Sequence, residues 1–186
     1  MTVYLIRHGM TAGNLEKRYI GRTDEPLCEA GIRALGSLHY TVCSALVCSP
    51  MRRCTETAAI LFPGQPYTVC DDLRECDFGR FEGKNYRELA GDRAYQEWID
   101  SGGMLTFPEG ECPAAFRARC VSAFRDVTAA HPECPSLALV VHGGTVMSIL
   151  EALALPHRGY YDRMTENGHG WRCTWNGTHL MDPEAL

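Results

Sequence analysis

Four short apolar runs divide the chain, and each stops at a polar group or a turn signal. Val3–Ile6 is apolar without alternation, the pattern of a strand covered on both faces rather than one. Strand candidates recur at 3–7, 45–49, 67–70 and 136–141. Between and after them, helical patterns cover 28–38, 51–62, 92–101, 113–130 and 144–155. Strands alternating with helices predict an α/β fold, a three-layer sandwich with a mainly parallel central sheet and helices on both faces.

Punctuation refines this reading. Ser49-Pro50 predicts a helix start, with serine as the cap and proline at the first helical position, where its missing N–H costs nothing. Pro63 and Pro156 stop the helices that precede them. Cys28 is a poor cap for the helix it opens. Asn176-Gly177, between Trp171–Trp175 and Thr178–Met181, predicts a hairpin on a type I′ turn at an edge of the sheet.

At 186 residues the chain has the length of one domain, 1–186, able to bury a core without metals or disulfides. A net charge of -5 argues against a broad nucleic-acid surface, so basic groups gathered at one point would form a local pocket for a small molecule. The chain enters a strand at once, with no charged segment leading into a long apolar one, and no apolar run reaches the roughly 18 residues of a membrane span. The expectation is a soluble cytoplasmic protein with no membrane partner; its oligomeric state is open. Ten cysteines include no C-x-x-C pair, and several lie inside apolar runs. They read as reduced, buried small hydrophobes rather than as a zinc site or a disulfide scaffold.

Three strand ends carry the polar groups that matter. The first ends in Arg7-His8-Gly9, the second runs into Ser49-Pro50-Met51-Arg52-Arg53, and the fourth ends in His142-Gly143-Gly144. Open α/β sheets bind ligands at the carboxyl ends of their strands. If these strands are parallel neighbours, two histidines and at least two arginines share one crevice, beside glycines and helix starts with free backbone N–H groups. Such a concentration of donors calls for an oxyanion.

On these residues the chain resembles the histidine phosphatase superfamily, the phosphoglycerate mutase-like proteins. The resemblance rests on Leu5-Ile6-Arg7-His8-Gly9-x-Thr11 with Asn14, on Ser49-Pro50-x-x-Arg53, on Leu73-x-Glu75-x-Asp77-Phe78-Gly79-x-Phe81-Glu82-Gly83, and on Val141-His142-Gly143-Gly144, in the family's order. Gly21-x-x-Asp24-x-Pro26-Leu27 and Gly110-Glu111 add weaker matches. The resemblance implies a phosphoglycerate mutase-like fold and a small phosphate monoester as substrate. It makes His8 the nucleophile, Arg7, Arg53, His142 and Asn14 the phosphate clamp, Gly21 and Gly143 further phosphate- or substrate-binding positions, and Glu75 the general acid. Arginine and imidazole donors without a carboxylate cluster imply no metal, and no cofactor is expected.

Neighbouring residues compete for some of these roles. Asp77 and Glu82 are rivals to Glu75 for the proton. Arg52 reads as a solvated or salt-bridged neighbour of Arg53, Thr11 and Glu111 as loop-fixing groups, and Lys84, Arg117 and Arg119 as surface cations. Tyr86, Tyr95, Trp98, Met104 and Phe107 are candidates for an aromatic mouth, with core the expected fate of most. Cys54 and Cys76 adjoin Arg53 and Glu75, so oxidation of either thiol would displace a catalytic side chain.

The family's cofactor-dependent mutases carry adjacent arginines after the acid-bearing loop, and residues 84–112 have none. Ile20 also departs from the small hydroxyl residue common in mutases. Both favour hydrolysis, and Phe81-Glu82-Gly83 resembles the aromatic-Glu-Gly of the short phosphatase branch that includes α-ribazole phosphatases. The alternatives are a mutase-type phosphotransferase and a non-catalytic module that binds a phosphorylated ligand.

Overall fold

Val3–Ile6 lies at the centre of a six-stranded sheet in the computed structural model, which describes residues 1–186. The strands are β1 (Thr2–Arg7), β2 (Ala45–Cys48), β3 (Thr68–Val69), β4 (Ser136–Val141), β5 (Gly170–Trp175) and β6 (Leu180–Ala185). The helices are α1 (Ala12–Leu15), α2 (Glu29–Leu35), α3 (Arg52–Leu61), α4 (Arg93–Asp100), α5 (Pro113–Ala130) and α6 (Gly143–Leu153). Sheet order is β3-β2-β4-β1-β5-β6. The first four strands in that order are mutually parallel, and the β5–β6 hairpin is added antiparallel at the β1 edge.

Alternation within the buried strands divides the core. Val3 and Leu5 of β1, with Leu137, Leu139 and Val141 of β4, pack against Phe116, Cys120 and Phe124 of α5 and Ile149 and Leu150 of α6. Ile6, Leu46, Cys48, Ala138 and Val140 pack the other way, against Leu35 of α2 and Cys54, Ala58 and Phe62 on and beside α3. Each buried large side chain contributes about 1.5–3 kcal/mol, so two such layers hold the sheet between helices. This is the three-layer α/β sandwich that the pattern predicts. Six cysteines, among them Cys48, Cys54 and Cys120, are buried, as expected of small hydrophobes.

Local chemistry departs from expectation in several places. Helix α3 begins at Arg52 with Met51 as an N-cap that makes no side-chain bond. Ser49 lies too early to cap it, and its hydroxyl is engaged elsewhere. Cys28 does cap α2, its sulfur accepting from the Gly31 amide, and that helix ends at Leu35 rather than 38. No type I′ turn forms at Asn176-Gly177, because only Gly177 takes a positive φ (97°). Instead Asn176 Oδ1 accepts from the amides of Thr178 and His179, and the loop runs four residues before β6 begins at Leu180. The side chain competes with the backbone for those amides, which lengthens the turn. Short 3₁₀ turns at Asp71–Leu73, Gly79–Phe81 and Tyr160–Arg163 carry no periodic signal in the sequence.

Candidate active site

Strand register assembles the site. Arg7 pairs with Val141 across β1 and β4, so His8 and His142 leave the sheet side by side. Their rings meet edge to face, with centroids 5.3 Å apart. Cys48 pairs with Val140, which brings Ser49 to the same level. Helices α3 and α6 start just beyond and contribute Arg53 and Gly143.

His8 is 5% exposed. Its Nδ1 lies 2.7 Å from the carbonyl oxygen of Gly9. A carbonyl only accepts, so Nδ1 carries the proton and Nε2 keeps its lone pair. Burial, with Arg53 and then Arg7 nearby, holds the imidazole well below its usual range against the opposing Gly9 bond. The ring is therefore neutral at neutral pH and able to attack.

Arg53 is fully buried. Its Nη1 and Nη2 donate to the carbonyls of Thr23 (2.7 Å) and Gly21 (2.9 Å), and its Nε to His142 Nδ1 (3.3 Å). Arg7 donates from Nη1 to Thr165 O at 2.8 Å, while its buried Nε has no protein partner beside Gly143. Asn14 Oδ1 accepts from the Thr11 amide and from Asn167 Nδ2. Thr11 thus fixes its loop, as expected.

Glu75 stands opposite, bonded through Oε1 to its neighbour's amide at Cys76 (3.0 Å) and through Oε2 to the Gly144 amide (3.1 Å). Burial raises its carboxyl above the ordinary range, although both amides, Arg53 and Arg7 pull the other way. A desolvated carboxyl of this kind holds a proton more readily than an exposed one. Its rivals are committed elsewhere: Asp77 Oδ1 accepts from Gly79, and Glu82 Oε1 accepts from Gly21 and Thr23.

A cavity of about 600 Å³ opens over this centre, lined by Arg7, His8, Asn14, Glu75 and Gly143. Arg53 and His142 stand behind its wall. Gly21 lies outside it and serves differently from the sequence expectation: its amide is taken by Glu82, its carbonyl holds Arg53, and a Cβ there would overlap the Cys76 carbonyl. It is a positioning glycine rather than a phosphate donor. Trp98 and Phe107 line the cavity, Tyr95 stacks on Trp98 beneath it, and Tyr86 and Met104 are exposed. Arg52 pairs with Glu56 and Arg119 with Glu111.

Arg117 is not the plain surface cation expected. It lies on the cavity wall, paired with Glu151 at 3.1 Å and stacked 3.9 Å above the Tyr160 ring. Pro113 and Arg117 stand one helical turn apart and both line the cavity, a spacing that could have found it. Asn167, which pins the His8 carbonyl as well as Asn14, and Thr165 lie in a non-periodic segment that offered no signal. Cys54 and Cys76 are buried and their thiols are pushed up by desolvation, which disfavours the thiolate that oxidation requires.

A model described as the histidine phosphatase superfamily (branch 1) matches residues 3–179. The chain is 31% identical over 178 residues, 90% of its length and 87% of the relative's, to a Salmonella typhimurium protein named adenosylcobalamin/alpha-ribazole phosphatase. It is 32% identical over 168 residues, 84% of its length and 76% of the relative's, to a Proteus mirabilis protein named as a probable phosphoglycerate mutase. A crystal structure titled as a putative alpha-ribazole-5'-P phosphatase of Escherichia coli covers 100% of this chain and 95% of its own, with a TM-score of 0.88 at 23% identity. The fold is that of phosphoglycerate mutase-like proteins; a phosphoglycerate mutase of Thermus thermophilus superposes at a TM-score of 0.75 with 28% identity, over 100% of this chain and 99% of that one.

Proposed function

The chain belongs to the histidine phosphatase superfamily, and from that premise we propose that it hydrolyses small phosphate monoesters through a phosphohistidine at His8. It is a phosphatase, as several of its relatives are named. The observation that carries the mechanism is the free Nε2 of a neutral His8 in the same cavity as Glu75. Nε2 attacks phosphorus as the ester P–O bond breaks, and the leaving alkoxide takes the Glu75 proton. Glu75, now a carboxylate, takes a proton from water as that water attacks the phosphohistidine. The N–P bond breaks, neutral His8 returns and phosphate departs. Arg7, whose Nε has no protein partner, stabilises the charge on the equatorial oxygens while Arg53 adds its positive field from behind the cavity wall, and this supports a metal-independent reaction.

The alcohol half of the substrate meets a largely apolar wall that includes Tyr19, Phe78, Trp98, Phe107 and Tyr160. The wall has two cations beyond Arg7, and both are matched by carboxylates: Arg18 by Glu16 and Glu88, and Arg117 by Glu151. A second anionic group on the substrate would have to displace them. This favours an uncharged aromatic riboside phosphate, such as α-ribazole phosphate, over phosphoserine or phosphoglycerate. A reducing cytoplasm, which keeps ten cysteines as thiols, is the compartment we assign.

Steady-state kinetics on α-ribazole phosphate, phosphoserine, phosphoglycerate and p-nitrophenyl phosphate tests this reading. We expect kcat/KM for the riboside to exceed that for the two carboxylate-bearing esters by at least about tenfold. Preference for phosphoglycerate with transfer of phosphate between its hydroxyls would make the protein a mutase. No turnover of any ester, with binding retained, would make it a binding module.

A further inference from the structure

We propose that Ser49 is a positioning residue for the reaction, setting which nitrogen of His142 carries the proton and thereby holding Arg53 beside His8. The kinetic part of this proposal rests on the phosphatase reading above. Its geometric part stands alone. Ser49, Arg53 and His142 are each fully buried, so their hydrogen bonds are made with protein groups. The assignment starts from Arg53, whose guanidinium can only donate. Its Nε–H points at His142 Nδ1 from 3.3 Å, so Nδ1 is the acceptor. A neutral imidazole with Nδ1 as acceptor carries its proton on Nε2. Nε2 lies 2.8 Å from Ser49 Oγ, which therefore accepts.

Ser49 Oγ, at 2.8 Å, is the nearest side-chain acceptor for the Nε2 proton, with the Cys54 sulfur farther off at 3.6 Å. Without the Ser49 oxygen, the Nε2–H is a buried donor lacking this partner, and the ring is free to move its proton to Nδ1 or to turn. Either change sets hydrogen against hydrogen at Arg53 Nε. After burial itself, Arg53 is the charge that most depresses the His8 imidazole, so a displaced guanidinium alters the field on the nucleophile. This also accounts for Ser49 at a helix start it does not cap: its hydroxyl is bonded to His142 and the cap is left to Met51.

The test combines ¹⁵N spectra of imidazole-labelled protein with kinetics on p-nitrophenyl phosphate, for wild type, Ser49→Ala and Ser49→Thr. We expect the wild-type His142 to be neutral and protonated at Nε2. In Ser49→Ala the His142 signals should shift toward a mixture of tautomers, with kcat/KM down by roughly 10- to 100-fold, and Ser49→Thr should recover the wild-type spectrum and most of the rate. A wild-type His142 protonated at Nδ1 overturns the proposal, and that spectrum is readable even if Ser49→Ala does not fold. Loss of rate in Ser49→Ala with an unchanged His142 spectrum also overturns it, because the role would then be structural only. If wild type turns over no ester, the phosphatase reading fails, while the spectra still decide the Ser49–His142 relationship.

Discussion

The Nδ1–H of His8 donates to the carbonyl of Gly9, its own chain neighbour, at 2.7 Å, and this one bond fixes Nε2 as the atom with the free lone pair. A strand-end histidine bonded to the carbonyl of the residue that follows it is left with Nε2 as its free nitrogen. His8→Ala should abolish hydrolysis. Acid quench of wild type during turnover should lose the bound label, and alkaline quench should retain it on His8, as read by peptide mass spectrometry. An acid-stable label on a serine would move the nucleophile elsewhere.

The two reacting groups predict a bell-shaped pH profile. His8 attacks only as the neutral ring, so kcat/KM should rise with pH through its depressed pKa. Glu75 must enter protonated, so the rate should fall as pH rises through a pKa raised above its ordinary value. The optimum should lie between these two limbs, and Glu75→Gln should remove the basic limb while leaving the acid one. A basic limb that survives in this variant would assign it to another group.

Gly21 shows how a backbone position reaches the chemistry. A Cβ at residue 21 would overlap the Cys76 carbonyl, and neither backbone segment can yield without moving Arg53 on one side or Glu75 on the other. Gly21→Ala should cost about 1–3 kcal/mol of stability by overpacking, measured by urea denaturation. It should also lower kcat for p-nitrophenyl phosphate in protein that remains folded. Unchanged kinetics would show that the Gly21 carbonyl is dispensable to Arg53.

The layers, the parallel sheet and the convergence of His8, His142 and Arg53 were legible because they follow from periodicity and from motifs placed at strand ends. Glu75 was legible among three acids from its match to the family position, and the tertiary bonds that engage Asp77 and Glu82 in loops add to that choice. Ser49 was misread because Ser-Pro is a local capping signal, while the partner its hydroxyl takes lies 93 residues away. Thr165 and Asn167 were missed for a related reason. Their partners come from distant segments, and a single sequence records periodicity but not which loops fold over a site.

Burial also orders the thiols. Cys54 and Cys76 are packed beside Arg53 and Glu75 with their thiols pushed up, so little thiolate is available for oxidation or alkylation. Cys112 differs: it is half-buried at the start of α5, and the amides of Ala115 and Ala114, with Thr106, pull its thiol down. Limited iodoacetamide treatment followed by peptide mapping should label Cys112 before Cys54 or Cys76. Peroxide at levels that spare the fold should leave the rate unchanged. Early labelling of Cys54 with loss of activity would mean that the α3 terminus opens in solution.

Glu75 is held between the Cys76 and Gly144 amides in the cavity that also contains His8, and its contribution should depend on the leaving group. Glu75→Gln preserves shape but has no proton to give. With an alkyl phosphate, whose alkoxide is a poor leaving group, phosphorylation of His8 should slow by roughly 10²- to 10⁴-fold. With p-nitrophenyl phosphate, whose phenolate departs unaided, that step should slow much less. Hydrolysis of the phosphohistidine then becomes limiting, because the same residue activates water, and rapid-quench measurements should show a burst of nitrophenolate followed by slow turnover. Equal slowing of phosphorylation with both esters, together with leaving-group dependence in Asp77→Asn or Glu82→Gln, would transfer the acid role to another carboxyl of the same loop.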